Sequence, residues 1–190
     1  MRYVILRLKL KGIETKNMEN LEGNLKAEFQ KIIGEECWGI IAGTGTGSVV
    51  SIQIGNKIPR KKSLDNIALE QAVRDFEAEY SLHIECVWRL DSDHEIICGA
   101  WDDNSKGGKM LQGLNHLLGK QITRVTLLEP AWDFIIEFSN LFKFKVFCDQ
   151  VNEEDENDNY SLFTPTQTIT VSNRSKIQSK SRLAQESAKL

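Results

Sequence analysis

The chain has 190 residues, 41% of them hydrophobic, which is enough to bury a core and excludes disorder of the whole chain. Its 24 Lys and Arg against 27 Asp and Glu give a net charge of -3, so there is no basic footprint for nucleic acid. Charges interrupt every apolar stretch well before the roughly 20 apolar residues that a membrane span needs. Four scattered cysteines without a CxxC pair and no secretory signal predict a cytoplasmic protein, with neither nucleic acid nor a membrane as partner.

Apolar periodicity predicts the elements of the first half in chain order. They are a strand over 2–10, a helix over 18–33 that ends before Gly34, a hairpin from CWGIIA and SVVSIQI around GTGTG, a basic surface loop over 59–66, a short helix over 67–76, and two strands over 80–90 and 94–101. The last two strands are joined by turn-forming residues, which predicts a second hairpin.

The second half is predicted in the same way. Its elements are a helix that stops at Gly119, three meander strands over 122–128, 132–138 and 142–147, an acidic loop, two strands in YSLFT and TITV, and a polar tail over 173–190. The fold class is therefore α+β, mainly antiparallel sheet with two amphipathic helices. We expect one domain over 1–172, in two halves over 1–104 and 105–172.

The two halves share one order of elements. The first helix ends in IIG and leads into a strand pair, and the second ends in LLG and leads into another strand pair. Each half also has a later strand that carries a cysteine, in LHIECVW and FKVFCDQ. Two related helix-strand-strand units are one interpretation, and chance use of the same strand and helix patterns is the other.

The glycine-rich loop is the first candidate site. Gly43, Gly45, Gly47 and Ser48 could present backbone N–H groups to a phosphate. However, the loop lacks the lysine of a phosphate-binding P-loop, and a strand follows where a helix N-terminus is needed. A hairpin connection is therefore the favoured interpretation, and a nucleotide-responsive protein or minor enzyme is the alternative.

Catalytic and metal sites lack a recognisable sequence pattern. The histidines are dispersed, although His83 and Glu85 share one strand face and a triad could still form in space. Structural zinc normally requires paired, closely spaced ligands. We predict no catalytic residues, no metal and no cofactor.

An acidic run is the candidate partner-binding site, since clustered charge on a loop steers a basic partner. Its members are Glu153, Glu154, Asp155, Glu156 and Asp158. A solvated turn is the alternative interpretation.

The segments CVWRLDSDHEIICGAWDD, LLGKQITRVTLLEPAWDFIIEF, KVFCDQ and NYSLFTP, over residues 80–165, give the chain a family resemblance. It resembles small uncharacterised bacterial β-rich proteins of the toxin-immunity-like kind. That resemblance implies a non-enzymatic protein that binds and neutralises another protein, for example a basic toxin or nuclease, or an accessory subunit of a bacterial defence system. The resemblance supplies no catalytic residues. A structural subunit that pairs through a free sheet edge is a further alternative.

Overall fold

The computed structural model describes residues 18–139, 141–152 and 157–182, and the strand predicted over 2–10 lies outside them. In chain order the elements are α1 over 18–31, β1 Glu36–Ile41, β2 Val50–Pro59, α2 Gln71–Asp75, β3 Phe76–Ile84, β4 Val87–Asp91, β5 Ile96–Gly99, α3 Lys109–Leu114, β6 Lys120–Leu128, β7 Asp133–Phe138, β8 Lys143–Phe147, β9 Asp158–Phe163, β10 Gln167–Ser172 and β11 Ile177–Ser181.

The described strands form one sheet in the order β11-β10-β9-β3-β2-β1-β6-β7-β8-β4-β5. Every neighbouring pair is antiparallel. The predicted fold class, a mainly antiparallel α+β protein, is therefore confirmed.

One hydrophobic core lies on the inner face of this sheet and draws on both halves of the chain. Helices α1 and α3 contribute buried side chains to it, including Phe29 and Leu114. The sheet curls around the core, because Tyr160 of β9 packs edge-on against Phe134 of β7, with ring centroids 4.9 Å apart. Four other strands separate β9 from β7 in the sheet order.

The two halves repeat the same contacts on either side of the β1–β6 pair. The N–H of Gly34, after α1, donates to the carbonyl of Ile122 at 2.7 Å, and the N–H of Gly119, after α3, donates to the carbonyl of Cys37 at 2.8 Å. Both glycines have positive φ, which favours glycine at the end of a helix. The register also shifts at equivalent places, between Cys37 and Gly39 and between Ile122 and Arg124. These equivalences support two related units.

Each half also passes its next strand to the other half. Strand β4 follows β3 in the chain but pairs with β8, and β9 follows β8 but pairs with β3. The two exchanged strands make equivalent hydrogen bonds, Trp88 Nε1 to the Ser48 carbonyl at 2.7 Å and the Tyr160 hydroxyl to the Trp132 carbonyl at 3.0 Å. The exchange joins the halves around one core.

Three predicted elements differ in the structure. The single strand predicted over 80–90 is two strands, β3 and β4, separated at Glu85 and Cys86. The helix predicted over 67–76 is shortened to α2, because Phe76 already begins β3 and follows its pairing with β2. Part of the polar tail predicted over 173–190 instead forms β11, in which Ile177 packs against the core and pairs with Val171. Residues 183–190 of that tail lie outside the described residues.

Among the helices that the structure describes, none is both long and apolar enough to cross a membrane.

Candidate functional site

The connection between β2 and β3 distinguishes the first half from the second. It spans residues 60–75 and contains α2, whereas the equivalent connection between β7 and β8 spans only 139–142. The longer connection covers part of the outer face of the sheet through a small apolar cluster of Trp38, Val73 and Ala78. Gly39 permits this contact, since a Cβ there would lie 3.1 Å from Val73 Cγ2.

This connection forms one wall of an outer-face groove of about 350 Å³. The opposite wall comes from Phe163 of β9 and from Arg182, which follows β11. The groove is lined by Ile41, Ser51, Gln53, Arg60, Glu77, Ala78, Ser81, His83, Phe163 and Arg182. Among the described residues of the second half, no connection of similar length lies between β7 and β8.

Small polar side chains form a row across the floor of the groove and beyond it. Ser51, His83, Ser161, Thr170 and Gln178 are direct cross-strand neighbours on β2, β3, β9, β10 and β11. The Ser161 and Thr170 hydroxyls lie 2.8 Å apart. We call Ser51, Gln53, Ser81, His83, Ser161 and Thr170 the polar face.

The polar face is partly sheltered from solvent although it lies outside the main core, and its His83 side chain is 36% exposed. Gln53 and Ser161 are only 6% and 7% exposed. The Gln53 amide donates to the Ser81 hydroxyl at 2.9 Å. Burying polar groups away from water costs free energy unless they are hydrogen-bonded. A partly buried polar surface is therefore suited to a ligand that offers further hydrogen bonds.

Ser51 and His83 of the polar face are hydrogen-bonded, and Glu85 lies beside the other nitrogen of the His83 ring. Ser51 Oγ lies 2.7 Å from His83 Nδ1, and His83 Nε2 lies 3.5 Å from Glu85 Oε1. A nucleophilic serine also needs donors for the oxyanion. Because β2 is paired on both sides, by β1 and β3, its backbone amides are used in the sheet. These amides are therefore not free to serve as oxyanion donors.

One end of the polar face carries two guanidinium groups around one carboxylate. Arg60 Nη1 lies 2.8 Å from Glu77 Oε1, and Arg182 Nη2 lies 3.8 Å from Glu77 Oε2. Arg182 also donates through Nη1 to the Thr164 carbonyl at 3.1 Å. This end has an excess of one positive charge among these three side chains.

The other end carries Asp158, the one described member of the predicted acidic site. Burial raises the pKa of this carboxyl, and the nearby Lys180 and His83 lower it by less. Glu153, Glu154, Asp155 and Glu156 lie outside the described residues. The chain on both sides of them is held by Asn173, whose side-chain amide donates to the Asn152 carbonyl at 2.8 Å and whose N–H donates to the Asn157 carbonyl at 3.1 Å.

The equivalent outer face of the second half has a different chemistry. Ile135, Lys145, Lys143 and Arg89 stand where the first half has Ser51, His83, Ser81 and Ser161. There Arg89 and Lys145 both lie 2.7 Å from carboxylate oxygens of Asp91. Burial alone would raise the pKa of Asp91, but hydrogen bonds from Arg89 and Lys145 outweigh it and lower the pKa. The neutral polar face is thus specific to the first half.

The glycine-rich loop connects β1 and β2 as a hairpin, which confirms the favoured interpretation of its shape. Gly43, Gly45 and Gly47 all have positive φ. Within the loop the Thr46 N–H donates to the Gly43 carbonyl and the Gly43 N–H donates to Thr46 Oγ1. The carbonyls of Gly43 and Gly47 accept from Asn104, and that of Ser48 accepts from Trp88. These contacts give Gly43 and Gly47 a structural role, and whether the loop binds a nucleotide stays a prediction.

Comparison with protein-family models, curated proteins and solved structures finds no match to this chain. The candidate site is therefore defined by the geometry of its residues alone.

Proposed function

We propose that this chain is a non-catalytic module that binds a protein partner through the polar face. The observation that carries the proposal is the asymmetry between the halves. At equivalent strand positions, the second half carries Arg89 and Lys145, which are both paired with Asp91. The first half carries the neutral polar face, beside the wall over residues 60–75. The fold itself does not require this difference between the outer faces, because both halves already supply apolar residues to the common core.

The charge distribution along the polar face supports a protein segment as the ligand. The chain from Glu77 to Glu85, which carries Ser81 and His83 of the polar face, spans roughly 25 Å at about 3.3 Å per residue. A cationic end at Arg60 and Arg182 and an acidic end at Asp158 flank the neutral centre. Because charge complementarity fixes the register of a partner, a segment with opposite charges at its two ends would bind in one direction.

An immunity-type inhibitor in the cytosol is the form of this function that we favour. The acidic run from Glu153 to Asp158 precedes Ser161 of the polar face in the sequence. It would approach a basic surface of the partner, such as that of a toxin or nuclease. The thiols of all four cysteines are free, which suits a reducing compartment.

A pair of reciprocal substitutions tests the polar face. Ser81→Lys places in the groove the residue that the equivalent position 143 already carries, so the strand should tolerate it. Lys143→Ser is the matched control on the other half. The partner is first captured from native cells with the tagged wild-type chain and identified by mass spectrometry. It is then purified and titrated calorimetrically against all three proteins.

We expect Ser81→Lys to weaken binding at least tenfold, because the lysine fills the groove and brings an unpaired charge into the interface. Lys143→Ser should change affinity by less than twofold. Equal affinity of the wild-type chain and Ser81→Lys would contradict the proposal.

A further inference from the structure

The cationic end of the polar face has donors that the fold leaves in excess. Among the described residues, Arg182 Nη2 has no acceptor within hydrogen-bond distance, since its nearest carboxylate oxygen on Glu77 is 3.8 Å away. The Arg60 and Arg182 side chains are only 20% and 37% exposed, and Glu77 is 47% exposed. Two partly sheltered guanidinium groups thus share one carboxylate that solvent can reach.

This arrangement suits a second carboxylate better than other anions. Each guanidinium presents planar donors that match the two oxygens of a carboxylate. With Glu77 in place the three side chains carry one net positive charge, which a single carboxylate neutralises. A phosphate dianion would exceed that charge and would lie beside the Glu77 carboxylate, and like charges repel at this distance.

The neighbouring groups indicate that the carboxylate belongs to a peptide chain. Gln53 and Ser81 lie in the same groove, and their side chains can donate and accept hydrogen bonds. A free small acid would leave these groups with only the hydrogen bond that joins them to each other. A segment that follows the strands would use them for its own backbone amides.

We propose, on the basis of the function proposed above, that Arg60 and Arg182 receive the side-chain carboxylate of an acidic residue in the partner segment. Glu77 occupies part of the same donor set in the free protein and acts as an internal competitor. Removal of its charge therefore strengthens binding of the incoming carboxylate.

The test uses the blocked peptide acetyl-Ser-Glu-Ser-amide and its Gln counterpart as probes, at low ionic strength. The Nε–Hε signals of arginines in the ¹⁵N-labelled full chain report contact with the guanidinium groups. Arg124 is the internal control, because it faces a single carboxylate, Glu137, at 3.6 Å. The Glu peptide should shift the signals of Arg60 and Arg182 and leave Arg124 unchanged, and the Gln peptide should shift none.

Two variants give the quantitative test. Glu77→Gln should lower the dissociation constant of the Glu peptide about fivefold, which is the range of a partly exposed ion pair. Arg182→Gln should raise it about tenfold, because a charge-assisted contact is lost. Equal shifts from the Gln peptide, or an unchanged dissociation constant in Arg182→Gln, would overturn the inference.

The carboxylate site and the proposed function can fail independently of each other. If the peptide binds as expected but Ser81→Lys retains the partner, only the proposed function falls. If Ser81→Lys loses the partner while Arg182→Gln binds it with wild-type affinity, only the carboxylate site falls.

Discussion

Tyr160→Phe tests the strand exchange that joins the two halves. The Tyr160 hydroxyl is buried and donates to the Trp132 carbonyl at 3.0 Å. The substitution removes one donor, keeps the ring against Phe134, and leaves the carbonyl without its partner. The equivalent bond of the other half, from Trp88 to Ser48, is untouched.

The expected cost follows from the hydrogen bond alone. An intramolecular hydrogen bond contributes about 1 kcal/mol net, and an unsatisfied buried acceptor costs about 1–3 kcal/mol. We therefore expect Tyr160→Phe to lower the free energy of unfolding by about 2 kcal/mol. For a chain of this size that loss corresponds to a decrease in Tm of roughly 4–8 °C.

The matched control is Tyr80→Phe. Tyr80 is also largely buried, at 8% exposure, but in the described structure its hydroxyl donates to no other residue. That substitution should change the free energy of unfolding by less than about 0.5 kcal/mol. Urea unfolding of both variants, followed by tryptophan fluorescence, gives the comparison. Equal stabilities for the two variants would refute the role assigned to the Tyr160 hydroxyl.

Three further substitutions test particular contacts. Gly113→Ala should destabilise the protein by about 3 kcal/mol, because the new Cβ would collide with Cys98 Sγ. Thermal unfolding should show this loss, and a wild-type Tm would be evidence against the close packing of α3 on β5. Asp91→Asn should cost about 2 kcal/mol at neutral pH, because it leaves two cations without their shared carboxylate. The pKa of Asp91 is lowered in the folded state. Its contribution to stability is therefore present above the ordinary carboxyl pKa and is lost as the pH falls through the folded pKa. In urea unfolding, the difference in free energy of unfolding between Asp91→Asn and wild type should shrink in acid, and a difference that does not change with pH would refute the ion pairs. Asp158→Asn should change stability in the opposite direction. The pKa of Asp158 is raised in the folded state, so the ionised carboxylate lowers the free energy of unfolding at a pH above that pKa. This variant should be more stable than wild type at neutral pH and equal to it in acid, and lower stability at neutral pH in calorimetry would contradict the effect of burial.

Periodicity predicted most of the described elements but missed the exchange of strands. Buried residues alternate without interruption from Tyr80 through Cys86 to Leu90, so the pattern reads as one strand. The chain changes its partner strand within this alternation, between β3 and β4. Only the pairing with β9 and β8, which are distant in sequence, reveals the break.

The polar face could be predicted only in part. His83 and Glu85 share a strand face in the sequence, which indicated their proximity. Ser161 and Thr170 follow the same alternation as ordinary solvent-facing residues, and they become neighbours of His83 only because β3 pairs with β9. In the wall over residues 60–75, the sequence predicts a surface loop up to residue 66 and a short helix after it, but it does not show that Val73 contacts Trp38.

Chemical labelling of histidine in the complex tests the binding face most directly. His83 lies on the polar face, and His94 is exposed on the turn between β4 and β5 of the sheet. Carbethoxylation rates of both are measured by mass spectrometry with and without the captured partner. We predict that the partner slows modification of His83 at least fivefold and leaves His94 unchanged. An unchanged rate at His83, with the partner demonstrably bound, would contradict the polar face as its binding site.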